Sequence, residues 1–216
     1  MLIINQVKQS IKSYDQYSGA EANIYNGKEY IPYIFNKEGS PFFEKDSLVN
    51  GWVSYGGHLY QPIRMQYDVA RNQVVILNYD QNSKIYLRNE IIDSFHFLDH
   101  LFIPLKENLK ENLDYTGFYD LLFNGNIRVL AIRQKSYKEN IRDNELIRVF
   151  YGNDQFYIYK GDKYYKVKNK KEVFKIFSNK KKEIAKRLRE QNVKFKKDDF
   201  EKALLIAATI YNQQSY

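Results

Sequence analysis

The chain contains no cysteine. Its residues can form no disulfide, no thiolate zinc site and no iron–sulfur cluster on Cys, and a Cys nucleophile is excluded. Histidine occurs three times. None of the three sits in a nucleophile context and no Gly-x-Ser-x-Gly is present, so serine catalysis has no support in the sequence. Proline (4) and glycine (10) are both sparse, which argues against a disordered chain. No apolar run approaches the ~18 residues of a membrane-spanning helix. The opening Met1-Leu2-Ile3-Ile4 is apolar but far too short for a signal-peptide core.

Aromatic residues are plentiful: 20 Tyr and 14 Phe lift their share, with the single Trp, to 16%. Many of them belong to a recurring phrase, an aromatic, a tight Gly turn and usually a second aromatic. It runs Tyr25-Asn26-Gly27-Lys28-Glu29-Tyr30, then Tyr55-Gly56-Gly57-His58-Leu59-Tyr60, then Phe123-Asn124-Gly125, then Tyr159-Lys160-Gly161-Asp162-Lys163-Tyr164. Asn-Gly and Gly-Gly between such residues signal β-hairpins. Short alternating strands are expected from residue 22 to about 168, including 24–25 and 30–35 around the first turn. Pro32 makes that strand an edge or a bulge. The polar stretches 106–115 and 136–144 read as surface loops.

The period then changes. Residues 171–177 suggest a short helix. Ser178 can cap 179–191, where Ile184 and Leu188 stack at i,i+4. Asp198 can cap a last helix with Phe200, Leu204, Ala207 and Tyr211 on its apolar face. The expected fold is therefore mainly β, an antiparallel meander of about a dozen short strands forming a sandwich, roll or barrel, with a C-terminal helical tail. The expected organisation is a lead-in at 1–21, an antiparallel β domain at 22–168, and a basic helical tail at 169–216 packed on it.

Charge is concentrated in that tail. From Lys166 to Lys197 there are 14 Lys and Arg against three acids, a net of +11 in a chain of net +8. Lys182, Lys186 and Arg189 recur at i,i+4,i+7 along one helical face, flanked by Lys180, Lys181 and Arg187. Such a stripe suits an acidic protein partner, nucleic-acid phosphates or anionic lipid headgroups. The plainer alternative, and the commoner one for a run of charge, is the solvated face of an amphipathic helix. Trp52, Tyr55 and Tyr60 are candidates for an aromatic ligand face, with cross-strand packing the plainer alternative.

His96 and His100, near Asp93 and Asp99, match no metal-ligand spacing and read as hairpin histidines, so no metal or cofactor is expected. Asp68, Asp80, Asp120 and Asp162 read as turn residues bonding their own backbone. A glycosidase-like carboxylate pair assembled across strands is not visible in one sequence.

Two stretches carry a resemblance. One is Gly51-Trp52-Val53-Ser54-Tyr55-Gly56-Gly57-His58-Leu59-Tyr60 with Tyr67-Asp68-Val69. The other is Gly117-Phe118-Tyr119-Asp120-Leu121-Leu122-Phe123-Asn124-Gly125 with Tyr164-Tyr165-Lys166-Val167 and the Lys-rich end. They resemble a group of uncharacterised, β-rich exported proteins of Bacteroidota-type bacteria. The resemblance implies a cell-envelope or periplasmic location, with an export signal encoded upstream, and implies no activity. The expected function is a non-enzymatic binding or scaffolding module acting through a protein or glycan surface. The alternatives are a cytoplasmic nucleic-acid-binding protein using the basic helix and, more remotely, a hydrolase with a cross-strand site.

Overall fold

Apolar residues alternating between turn signals set the strands. The computed structural model describes residues 23–105, 113, 115–196 and 198–213. The lead-in expected at 1–21 and most of the loop expected at 106–115 lie outside them. The protein is mainly antiparallel β, with fourteen strands making 45% strand against 21% helix, and its sheets do not close into a barrel.

In chain order the strands are β1 (Lys28–Glu29), β2 (Lys37–Glu38), β3 (Val49–Tyr55), β4 (His58–Asp68), β5 (Gln73–Leu77), β6 (Lys84–Tyr86) and β7 (Ile92–Phe97). There follow β8 (His100–Pro104), β9 (Phe118–Asn124), β10 (Arg128–Ile132), β11 (Lys135–Arg142), β12 (Glu145–Gly152), β13 (Gln155–Lys160) and β14 (Lys163–Val167). Helices α1 (Lys170–Ile176), α2 (Lys181–Glu190) and α3 (Phe200–Asn212) end the chain. It divides into two compact units, Met1–Asp99 with Ser136–Tyr151, and His100–Lys135 with Gly152–Tyr216.

In the first unit the strand order is β1-β6-β5-β4-β3-β7, antiparallel throughout. Gly56 and Gly57 join β3 to β4 with φ of 59° and 79°, the left-handed conformation a two-residue hairpin turn needs and glycine adopts without strain. Val53, Met65, Tyr67, Val74, Ile76 and Phe95 are fully buried, and Tyr67 meets Phe95 edge-on at 5.1 Å between ring centroids. Val75, between Val74 and Ile76, is buried as well because Tyr30 and Phe42 cover it.

Several expectations fail here. Residues 30–35 form no strand, and Asn23 and Ile24 are helical. The segment is instead pinned across a strand end by Tyr30 and Tyr33, whose hydroxyls both reach Asp68, and Pro32 has no N–H to offer a ladder. Gly27 is needed for close approach rather than for a hairpin: a Cβ there would collide with the Tyr86 carbonyl on β6. Residues 136–144 belong mostly to a strand, β11, which pairs with β12 across an Asp143-Asn144 turn with φ of 49° and 62°. β11 reads as loop because nearly all of it faces solvent, so no apolar alternation marks it. β2 completes this small sheet by pairing parallel to β12.

In the second unit the order is β8-β9-β10-β13-β14, with every neighbouring pair antiparallel. The β13–β14 turn is the phrase at Gly161-Asp162, and the flanking Tyr159 and Tyr164 rings sit 4.8 Å apart. Val129 and Ile158 lie in one apolar cluster with Phe177, Ile184, Leu188, Phe200, Leu204 and Ala207 from the helical segment. Leu130, Ile132, Tyr119 and Tyr157 form another. Strands β10 and β13 are thus apolar on both faces, which explains the unbroken run Val129-Leu130-Ala131-Ile132.

Candidate functional site

The basic residues singled out in the sequence take different roles. Lys180 is paired with Glu183 at 3.1 Å, and Arg187 with Glu190 at 3.7 Å. Lys181 lies over the Phe174 ring, its Nζ 5.9 Å from the centroid. Lys186 is 80% exposed and only grazes Glu190 at 4.0 Å. Lys182 and Arg189 are exposed and, among the described residues, join no ion pair. The apolar face of α2, Ile184 and Leu188, is buried as the spacing demands. An exposed cationic stripe of Lys182, Lys186 and Arg189 remains on the surface, with Lys186 loosely paired to Glu190.

The three aromatic candidates do not share a face. Side chains alternate along β3, so Val53 and Tyr55 point one way and Trp52 and Ser54 the other. Tyr55 (3% exposed) and Tyr60 (8%) are buried on the first face, Tyr60 by way of its pairing with Val53. Burial pushes the Tyr60 hydroxyl pKa up, and the neighbouring Tyr55 adds to this. Trp52 is half-buried on the opposite face and stacks on His96, its cross-strand partner, at 5.8 Å and 12° between planes.

Tyr55 also lines a cleft in the first unit. One hollow of 350 Å³ is walled by Asn23, Asn26, Tyr55, His58 and Arg88. A second, of 670 Å³, shares Asn26 and Arg88 with it and adds Lys28, Arg71, Asn72 and Asn89, with Glu90 at its rim. The turn Arg88-Asn89-Glu90 after β6 supplies three of these residues. Arg71 is already committed: its guanidinium lies 3.8 Å from the Tyr33 centroid and donates to the Ile31 carbonyl at 2.7 Å. Lys28 and Arg88 are exposed and join no ion pair among the described residues.

Two oxygens of the lining residues stand out. The Tyr55 hydroxyl and Asn89 Oδ1 are buried without a hydrogen-bond partner, while Asn89 Nδ2 donates to the Asn72 carbonyl at 2.8 Å. Unmade hydrogen bonds of this kind are uncommon and ask for an explanation.

The carboxylates also sort themselves. Asp80 behaves as a turn residue: it accepts from the Ser83 amide at 2.9 Å, the Ser83 hydroxyl at 2.7 Å and the Asn82 amide at 2.9 Å, and these bonds hold its pKa below the usual value. Asp68 accepts from Ala70 and Arg71 amides at 3.0 Å and from Tyr30 at 2.9 Å. Asp120 is no turn residue. It lies within β9, 1% exposed, and its Oδ2 meets His100 Nδ1 at 2.7 Å and Arg133 Nη2 at 2.7 Å. Arg133 reaches further, to Asp154 at 2.7 Å and Glu201 at 2.8 Å.

Burial alone would lower the Arg133 pKa, but Glu201, Asp120 and Asp154 together raise it. The network ties α3 to β9 and β10, a positioning role. The sequence drew attention to His100 and Asp120 only as turn residues and did not mark Arg133, Asp154 or Glu201, because the network joins positions spread from His100 to Glu201. Among the described residues no group of three or more His, Cys, Asp or Glu side chains is arranged to hold a metal ion. Compared with protein-family models, curated proteins and solved structures, the chain shows no match.

Proposed function

We propose that the protein is a non-enzymatic binding module that takes an acidic glycan in the linked clefts of its first unit. One observation carries this reading: among the described residues of that unit, the buried side-chain oxygens without partners belong to Tyr55, which lines the smaller cleft, and Asn89, which lines the larger. Each unmade bond costs about 1–3 kcal/mol, and a ligand rich in hydroxyls relieves that cost once a small side-chain shift bares the two oxygens to the cleft. Lys28 and Arg88 suit its carboxylates, and the half-buried Tyr86 ring offers apolar surface to a sugar face. Glu90 is the one carboxylate among these lining residues, whereas glycoside hydrolysis generally needs two. Such a module belongs in the cell envelope, the setting implied by the resemblance.

Titration calorimetry with a short oligouronate and its neutral counterpart tests this. The acidic ligand is expected to bind at least about tenfold more tightly, equivalent to ~1.4 kcal/mol. Arg88→Ala is expected to weaken it by a similar factor. Equal affinity for the two ligands, or an Arg88→Ala variant that binds like the parent, sinks the reading.

A second reading, nucleic-acid binding through α2, is supported by the exposed cations Lys182 and Arg189, which have no ion pair among the described residues.

A further inference from the structure

The second unit holds a hollow of a different kind. α2 ends at Glu190, and the chain reverses through Asn192 at a φ of 51°. The Asn192 amide donates to the Arg189 carbonyl at 3.1 Å and the Val193 amide to the Leu188 carbonyl at 2.9 Å. This is the pattern of a helix closed by a left-handed residue, in which the residue after the reversal packs back on the last turn. It lays Val193 beside Leu188 and brings Lys194 and Phe195 up as a wall.

The result is a groove of 470 Å³ between α1, α2 and this return. Its floor is apolar: Ala185, Leu188, Val193 and Phe195. Its rim is cationic: Lys170, Arg189 and Lys194, with no acidic residue among the lining. Lys170 and Lys181 both lie over Phe174, at 5.3 and 5.9 Å from its centroid, and Phe174 packs against Phe195 at 5.8 Å. Of these two lysines, Lys170 lines the groove itself.

We infer that this groove is a binding site for a small amphiphilic anion, a free medium-chain carboxylate. A bare phosphate would leave the apolar floor wet, and a neutral hydrocarbon would leave the cations unused. The volume lies within the range of small-molecule sites, roughly 300–1,000 Å³. Burial of the chain supplies affinity, in proportion to apolar area removed from water, and the rim fixes which end stays outside. The helix end itself offers no competing carbonyl at Leu188 or Arg189, since the reversal already bonds both.

Titration calorimetry on the full chain with decanoate, 1-decanol and inorganic phosphate tests the site. Decanoate is expected to bind at least about tenfold more tightly than either control. Arg189→Glu with Lys194→Glu, both at exposed positions, is expected to lower decanoate affinity at least about tenfold. Ala185→Trp, which fills the groove at constant charge, is expected to do the same, with circular dichroism confirming the fold of each variant. Decanoate affinity unchanged in both variants overturns the inference, as does phosphate binding equal to decanoate. Two further outcomes overturn it: phosphatidylglycerol vesicles that bind the protein while decanoate does not, which would make the occupant a membrane surface, and a mixed oligonucleotide bound equally by parent and Ala185→Trp in the absence of decanoate binding.

Discussion

Asp68 shows how much one side chain can organise. Its Oδ1 holds the turn after β4 by accepting from two backbone amides, and the carboxylate also anchors Tyr30 and Tyr33, 38 and 35 residues earlier in the chain. That anchoring leaves a pH signature. Burial first, and the Asp68 carboxylate next, push the hydroxyl pKa of Tyr30 and Tyr33 well above the ordinary 10.0. The folded state therefore favours the neutral phenols. Their contribution to stability is complete below pH 10, the pKa of an unfolded tyrosine, and is lost as pH climbs from there towards the raised folded values. Urea unfolding at about pH 9 and about pH 11 is expected to show that loss, and Tyr33→Phe is expected to lose less than the parent over the same interval. A parent whose stability is flat over that interval contradicts the assignment.

At the scale of elements, α1 depends on its first turn. Asn169 Oδ1 accepts from the Glu172 amide at 3.1 Å, and Glu172 Oε2 reaches back to the Lys168 amide at 2.6 Å. This reciprocal capping stabilises a helix of only seven residues. Asn169→Ala is expected to cost about 1 kcal/mol, read as a lower urea midpoint with an unchanged slope. The signal, Asn with Glu three residues on, was present in the sequence.

Hairpins β3–β4 and β13–β14 were legible because Gly turns and aromatic pairs are local marks, and α2 and α3 because their apolar residues recur every turn. β11 was hidden because a strand wet on both faces carries no alternation, and the 30–35 segment because its conformation is set by Asp68, far along the chain. The candidate clefts were legible only at Tyr55. Asn26, Arg88 and Asn89 sit in turns whose sequence looks like any other turn, and only the fold brings them together.

For the molecule as a whole, charge matters more than any single contact. A net of +8 arises from a segment of +11 set against a remainder of opposite sign, so the field is strongest around the helices. Association with a polyanion should be steered there and should weaken steeply with salt. If α2 binds nucleic acid, Lys182→Glu with Lys186→Glu is expected to lower the slope of log affinity against log salt by about two charges' worth, roughly 1.4 units for a single strand. Fluorescence anisotropy with a labelled mixed oligonucleotide measures this. No binding at low salt eliminates the nucleic-acid reading.

The stack of Trp52 on His96 has an optical consequence. With one tryptophan in the chain, all indole emission reports a single spot on β3. An imidazole parallel to the indole at 5.8 Å makes that emission sensitive to any shift of the two rings. The protein thus carries a label that nobody needs to attach, tuned to the strand whose other face presents Tyr55.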